Sequence, residues 1–355
     1  MSYYIIPKNN NIIMLKPKCS NELCRPYISS SLLHYYNQIK NQIIDMIDNI
    51  DISNNNFDDA IKIINPYEFI FSKVPGSKFS VSKLKPKTNL FYDLLEIYNN
   101  LNIFESYKAN SIKTLHISPN YSDSVDCFEI LRENYHDTIL FLKNNNFDTY
   151  IIDAAKLDFI FYETDYNNYF YSIIEILAII LKNQAYKGTT IIKIGEIFHK
   201  PVIDALYFLT SLYEKVHICK SSTNNITSFD KYIVCKNFIY NEDSVLYLKY
   251  NYYTLLVFIK TLDNKNITQI LDFNIPFYFK NKIDELNIII GQQQLEALDQ
   301  IVLLYKNKNK DDKIEIIKKN NIQKSVTWCE KFKIPCNKFT EKTNIFLPIV
   351  NDITI

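Results

Sequence analysis

One lysine stands inside an otherwise apolar run, Ile191-Ile192-Lys193-Ile194. An ammonium in such a run is uncommon unless it is paired or belongs to a site. A second apolar run, Asp158–Tyr162, is followed by Glu163 and Asp165. Carboxylates at a strand end can exchange protons with a substrate, and they also occur as plain loop solvators. A third group lies in Asn65–Leu95. There Lys73, Lys78, Lys83, Lys85 and Lys87 fall in a span with no acid between Glu68 and Asp93, and Phe71, Phe79, Phe91 and Tyr92 are interleaved. Lysines contact phosphates and aromatic rings stack on bases, so the segment is a candidate RNA path; a solvated loop in a Lys-rich chain is the plainer alternative. The seven cysteines, an odd number, read as reduced thiols. Neither Cys19 with Cys24 nor Cys329 with Cys336 has a close His or a second tight Cys pair, which argues against zinc.

The elements that must position these groups centre on Lys187–Lys236. It reads as strand, helix, strand, polar loop, strand. Gly188 opens the run Thr189–Ile194, and Pro201 suits a first helical position ahead of Ala205, Leu206, Leu209 and Leu212. Val216–Cys219 and Tyr232–Cys235 are short buried-type strands either side of a Ser/Thr/Asn loop. Upstream, the spacing predicts a helix over Leu90–Phe104, strands at Lys113–Ile117, Thr138–Leu142 and Tyr150–Ile152, and an apolar helix over Ser172–Lys182. Residues 1–64 read as an extension, with short strands at Tyr3–Ile6 and Ile12–Leu15 and a helix over Ser29–Ile50. Residues 65–240 form the core, and 241–355 a mostly helical region containing Val245–Lys260 and Ile283–Tyr305. Lys306–Lys319 reads as an exposed loop or helix. The fold class expected is α/β.

Gly188–Lys236 resembles the end of the FtsJ-like ribose 2′-O-methyltransferases, above all the cap-type members of large DNA viruses. Asn65-Pro66-Tyr67-Glu68 and Trp328-Cys329-Glu330-Lys331-Phe332 are similar to segments flanking the core of those viral proteins. The resemblance implies a Rossmann-like methyltransferase sheet flanked by helices, binding S-adenosylmethionine and capped or structured RNA. The family's Lys-Asp-Lys-Glu tetrad then falls on Asp93 in place of its first Lys, on Asp165 in preference to Glu163, on Lys193, and on Asp230 in place of Glu. Its glycine-rich cofactor loop falls on Ser118–Asp123, with Ser118, Asn120 and Asp123 as the candidate cofactor contacts. Glycines in such a loop permit positive φ and let the backbone approach a ligand. Here there is none between Gly76 and Gly188, Tyr121 brings a large side chain into the cofactor space, and Asn120 tolerates a left-handed turn. Lys220 opens the family's Lys-Pro-x-x-Ser-Arg loop, which has lost its Pro and Arg here, and it joins the candidate RNA contacts.

A carboxylate in place of the first Lys would keep Lys193 charged and make it a poor base. The expectation is therefore a catalytically inactive subunit that uses no cofactor. It would bind RNA, capped mRNA included, or assemble with other viral mRNA-processing or translation subunits, in the host cytoplasm (viral factory) or the virion. The alternative is an active S-adenosylmethionine-dependent mRNA cap ribose 2′-O-methyltransferase. Composition is compatible with either. The 355 residues are 47% hydrophobic with a net charge of +1, so RNA binding needs a local patch. The longest apolar run, Ile173–Leu181, carries Glu175 and falls short of the ~20 residues that span a bilayer. No membrane partner is expected, and the opening Met1-Ser-Tyr-Tyr-Ile-Ile-Pro does not read as a signal peptide.

Overall fold

The structure, a computed structural model, describes residues 1–48, 57–75, 77, 80–108, 110–143, 156–263, 265–306 and 311–337. In chain order its elements begin with β1 (Ser2–Ile6), β2 (Lys18–Ser20), α1 (Ser30–Asp48), α2 (Phe57–Ile64), α3 (Leu90–Asn100), β3 (Lys113–Ile117) and α4 (Tyr121–Arg132). They continue with β4 (Thr138–Leu142), β5 (Leu157–Glu163), α5 (Tyr169–Asn183), β6 (Gln184–Ile194), α6 (Lys200–Leu212), β7 (Tyr213–Lys220) and β8 (Lys231–Phe238). Last come α7 (Val245–Lys260), β9 (Asn266–Gln269), α8 (Phe277–Lys306) and α9 (Asp311–Lys331). Among the described residues, no helix is long and apolar enough to cross a membrane.

Seven strands form one mixed sheet in the order β1-β7-β8-β6-β5-β3-β4. β4, β3, β5 and β6 run parallel, whereas β8 is antiparallel to both β6 and β7. The chain moves from β3 outward to β4, then returns to the other side of β3 to lay down β5 and β6. This reversal is the topological switch point of a Rossmann-like doubly wound sheet, and ligands bind such sheets in the crevice outside the carboxyl ends of the strands there.

Alternation along the strands explains the layers. Ile160 and Tyr162 of β5 pack in one apolar cluster with α5, α6 and α7, while Phe159 and Phe161 pack in the other with α3 and α4. Strands buried on both faces read as continuous apolar runs, which is why their positions are visible in the sequence. Lys193 follows Ile192 and so shares the face of Ile191, the α3 face.

Residues 1–64 and the C-terminal region interlock with the core. β1 extends the main sheet along β7, β2 pairs with β9, and α1 packs on α8. One apolar cluster runs from Ile6 to Ile290, so the three sequence segments do not correspond to separate cores. Ile12–Leu15 is not a strand; side chains of α7 hold it, Leu15 N donating to Asn251 Oδ1 at 2.8 Å and Ile13 O accepting from Tyr247 OH at 2.8 Å and Asn251 Nδ2 at 3.3 Å. The charged stretch after Lys306 contributes to a helix, α9, because Ile314 and Ile317 find an apolar surface to pack on. Residues 150–152, expected as a strand, lie outside the described residues.

Candidate functional site

At the switch point, register brings three side chains into line. Glu163 of β5 is the partner of Lys193 on β6, and Lys193 is the partner of Tyr232 on β8. All three project toward α3. Lys193 Nζ donates to Glu163 Oε1 at 2.7 Å, with only 12% and 11% of the two side chains exposed. Ser118, just past β3, donates its hydroxyl to the other Glu163 oxygen. Asp93 reaches down from α3, wholly buried, and accepts hydrogen bonds from Tyr232 OH at 2.8 Å, Asn224 Nδ2 at 3.1 Å and Thr223 Oγ1. Asp230, at the foot of β8, accepts from Tyr166 OH at 2.7 Å. Tyr166 packs closely on Gly195, where an added Cβ would meet its Cε1 at 2.7 Å, so a side chain there would have to displace the ring.

Three of the four tetrad positions therefore converge, and the fourth is corrected. The acid beside Lys193 is Glu163 and not Asp165. Asp165 sits past the strand and caps the turn 166–168, accepting from Asn167 N at 3.0 Å and Asn168 Nδ2 at 3.2 Å. Strand register selects Glu163, and register is what a single sequence does not display.

The electrostatics follow from burial and these neighbours. Burial alone would depress the Lys193 ammonium, but the carboxylates of Glu163, Asp230 and Asp93 together outweigh it and hold the group above its ordinary value. Asp93 makes no ion pair with Lys193; it acts from beyond contact, and its own carboxyl is raised by burial in spite of its hydrogen bonds. Lys220 is 7% exposed, and burial lowers it to about 8. Its Nζ donates to Ser228 O at 2.7 Å, Asp230 O at 2.9 Å, Asn225 O at 3.0 Å and Asn224 Oδ1 at 3.1 Å. It braces the 221–230 loop from inside and presents no charge to a phosphate, so its expected RNA contact is withdrawn. Lys231 is also buried, lowered to about 7, with Nζ on Gly195 O at 3.1 Å.

The expected cofactor loop is built for other duties. Ser118 is committed to Glu163, and its Oγ also accepts from Asn120 N at 3.0 Å. Asn120 has φ −110°, and no residue from 118 to 123 has a positive φ, so the left-handed turn expected at Asn120 is absent. Tyr121 stacks on Phe141 of β4, with ring centroids 4.7 Å apart and planes 7° from parallel. Asp123 is buried and accepts from Lys87 N at 3.0 Å and from both Thr88 N and Thr88 Oγ1 at 2.6 Å. These residues do not fit S-adenosylmethionine: the polar side chains are consumed internally and the backbone makes no glycine-type cradle.

Asp123 instead latches the basic segment. Lys83 N donates to Pro335 O at 2.8 Å, and the Asp123 bonds hold the other end. Between these anchors Lys83, Lys85 and Lys87 are exposed while Leu84 and Pro86 are half-buried, which puts the three lysines on one side of an extended stretch. Lys73 is exposed as well, and Lys78 lies outside the described residues. None of Lys73, Lys83, Lys85 and Lys87 forms an ion pair among the described residues.

Sequence reasoning missed Glu96, a buried carboxylate one turn beyond Asp93 on α3. It accepts from Ser221 Oγ and Ser222 N, each at 2.7 Å, from the Met1 amino group at 3.2 Å and from Trp328 Nε1 at 3.3 Å. An acid three residues after Asp93 on an apolar helix was the available signal.

No family model and no curated protein matches the chain. Solved structures similar to parts of it include a ribosomal RNA methyltransferase from Plasmodium falciparum, 17% identical, with a TM-score of 0.35, over 44% of this chain and 100% of that one. A Streptococcus thermophilus protein described as a hemolysin is 11% identical with a TM-score of 0.29, over 51% of this chain and 78% of its own. Phosphoethanolamine N-methyltransferase 2 from Haemonchus contortus is 13% identical with a TM-score of 0.25, over 48% of this chain and 44% of the enzyme, so the chain spans less than half of that protein. Methyltransferases are thus among the structures the chain is similar to, and at these values none of their activities carries over.

Proposed function

We propose that this chain is a methyltransferase-fold protein of the FtsJ-like kind that has lost methyl transfer and serves as an RNA-binding or assembly subunit in viral mRNA processing or translation. The observation that carries the reading is the state of Lys193. A lysine that assists deprotonation of a ribose hydroxyl needs a lowered pKa. Here the ammonium is locked against Glu163 at 2.7 Å and held charged by three carboxylates. The committed side chains of Ser118 and Asp123 support the same reading from the cofactor side. The row Lys83, Lys85 and Lys87, held extended and exposed, supports a backbone-contacting role.

Incubation with capped RNA and tritiated S-adenosylmethionine tests the loss of transfer. No incorporation above the protein-free blank is expected. Robust incorporation that disappears in Lys193→Ala would overturn the reading. Filter binding of single-stranded RNA across a salt series tests the basic face, and binding that ignores salt would remove it.

A further inference from the structure

A cavity of about 150 Å³ opens between the turn at Asn65–Tyr67, the residues Ser221, Ser222 and Asn224, and Gln293 of α8. A cavity of that size takes one aromatic ring. Asn65 lines it and is 1% exposed. Its Nδ2 donates to Glu68 Oε2 at 2.8 Å, and because a carboxylate only accepts, this bond fixes which end of the amide is which. That leaves Asn65 Oδ1 as a buried acceptor with no partner. Such an atom costs stability unless a donor reaches it. The Tyr67 ring lines the same wall.

Charge narrows the occupant. Among the described residues, no Asp or Glu lines the cavity. Lys220 and Met1, with its amino group, do line it, so a methylated, positively charged base is disfavoured against a neutral one. Val81 N donates to Phe69 O at 2.6 Å and Ser82 N to Ile70 O at 3.1 Å, which ties the stretch leading into Lys83 to the short turn Glu68–Ile70 that follows Tyr67 in the chain.

We propose that this cavity receives one unpaired, neutral nucleobase of a single strand whose phosphates run along Lys83, Lys85 and Lys87. The base stacks on Tyr67 and gives a ring N–H or exocyclic amine to Asn65 Oδ1. Ser222 Oγ and the exposed Gln293 amide supply the remaining polar contacts. The inference rests on the RNA-binding reading above and adds to it a place and a chemistry for one base.

Fluorescence anisotropy with the full chain separates the two. Labelled decamers of adenylate or uridylate, and an abasic ribose-phosphate decamer of equal length, are titrated at several salt concentrations. Base-bearing decamers are expected to bind at least about tenfold tighter than the abasic one, with the same salt slope, since a stacked base is worth about 1–3 kcal/mol. Tyr67→Ala should remove most of that difference, Tyr67→Phe should keep it, and Gln293→Ala, a surface change, should reduce it. Equal, salt-dependent binding of base-bearing and abasic strands would overturn the base pocket and leave the RNA path standing. Salt-independent or absent binding of every strand would overturn the path and the pocket together. Stronger competition by 7-methylguanosine monophosphate than by guanosine monophosphate would overturn the assignment to a neutral base.

Discussion

The Lys193–Glu163 pair is the part of the site whose energetics can be worked out most fully. Both side chains are close to nine-tenths buried and 2.7 Å apart. Removing one partner from a buried pair costs about 3–5 kcal/mol, because the other charge is left in a poor solvent. The slight exposure of both groups places this pair at the lower end, about 3 kcal/mol. For 355 residues, with an unfolding entropy of about 2.1 cal/mol/K per residue, that is a loss of roughly 4 °C in Tm. Lys193→Met and Glu163→Gln should each show it. The double variant should lie within about 1 kcal/mol of the parent, since Met fills the volume of Lys and Gln still accepts from Ser118. Urea denaturation of the four proteins gives the coupling energy, which these figures put at about 5 kcal/mol. Additive losses in the double variant would refute the reasoning. So would an unchanged Lys193→Met stability accompanied by loss of methyl transfer, which would mark a catalytic ammonium.

Asp123→Ala should release the Lys87–Thr88 end of the basic row, cost about 1–3 kcal/mol, and open residues 83–88 to limited proteolysis. Neutralising Lys83, Lys85 and Lys87 together should lower the salt slope of single-strand binding by about 2, at roughly 0.7 per phosphate contact. Lys220→Met should leave that slope unchanged and reduce stability, because its ammonium serves the interior of the loop. Burial lifts the Glu175 carboxyl from 4.5 to about 7, while Tyr162 OH donates to it. A raised carboxyl gives stability that is full below pH 4.5 and lost as pH rises through 7, by roughly 3 kcal/mol. Glu175→Gln should thus gain on the parent by about that amount between pH 5 and pH 8 in paired urea titrations.

The sheet was legible because its central strands are buried on both faces. Asp158–Tyr162, Thr189–Ile194 and Tyr232–Cys235 stand as largely apolar runs and became strands, as did the more mixed Lys113–Ile117. The site was legible only as residue types. Lys193 stood out, since a charge in such a run needs a partner, but Glu163 and Asp165 are two residues apart and only register separates them. Lys220 carries the same charge as Lys83, and burial alone makes one a brace and the other a surface contact. Asp123 reads as a ligand contact from its place in the loop after Lys113–Ile117, and its true partners are hidden because those backbone amides lie 36 and 35 residues upstream. The interlocking of β1 and β2 with distant strands was hidden for the same reason: short strands take their partners from tertiary structure.

In the function proposed above, the turn after β3 holds no methyl donor. Isothermal titration of the full chain with S-adenosylmethionine addresses it most directly. No saturable heat is expected up to millimolar donor. A stoichiometric isotherm, displaced by S-adenosylhomocysteine and lost in a variant altered at Ser118, would contradict it.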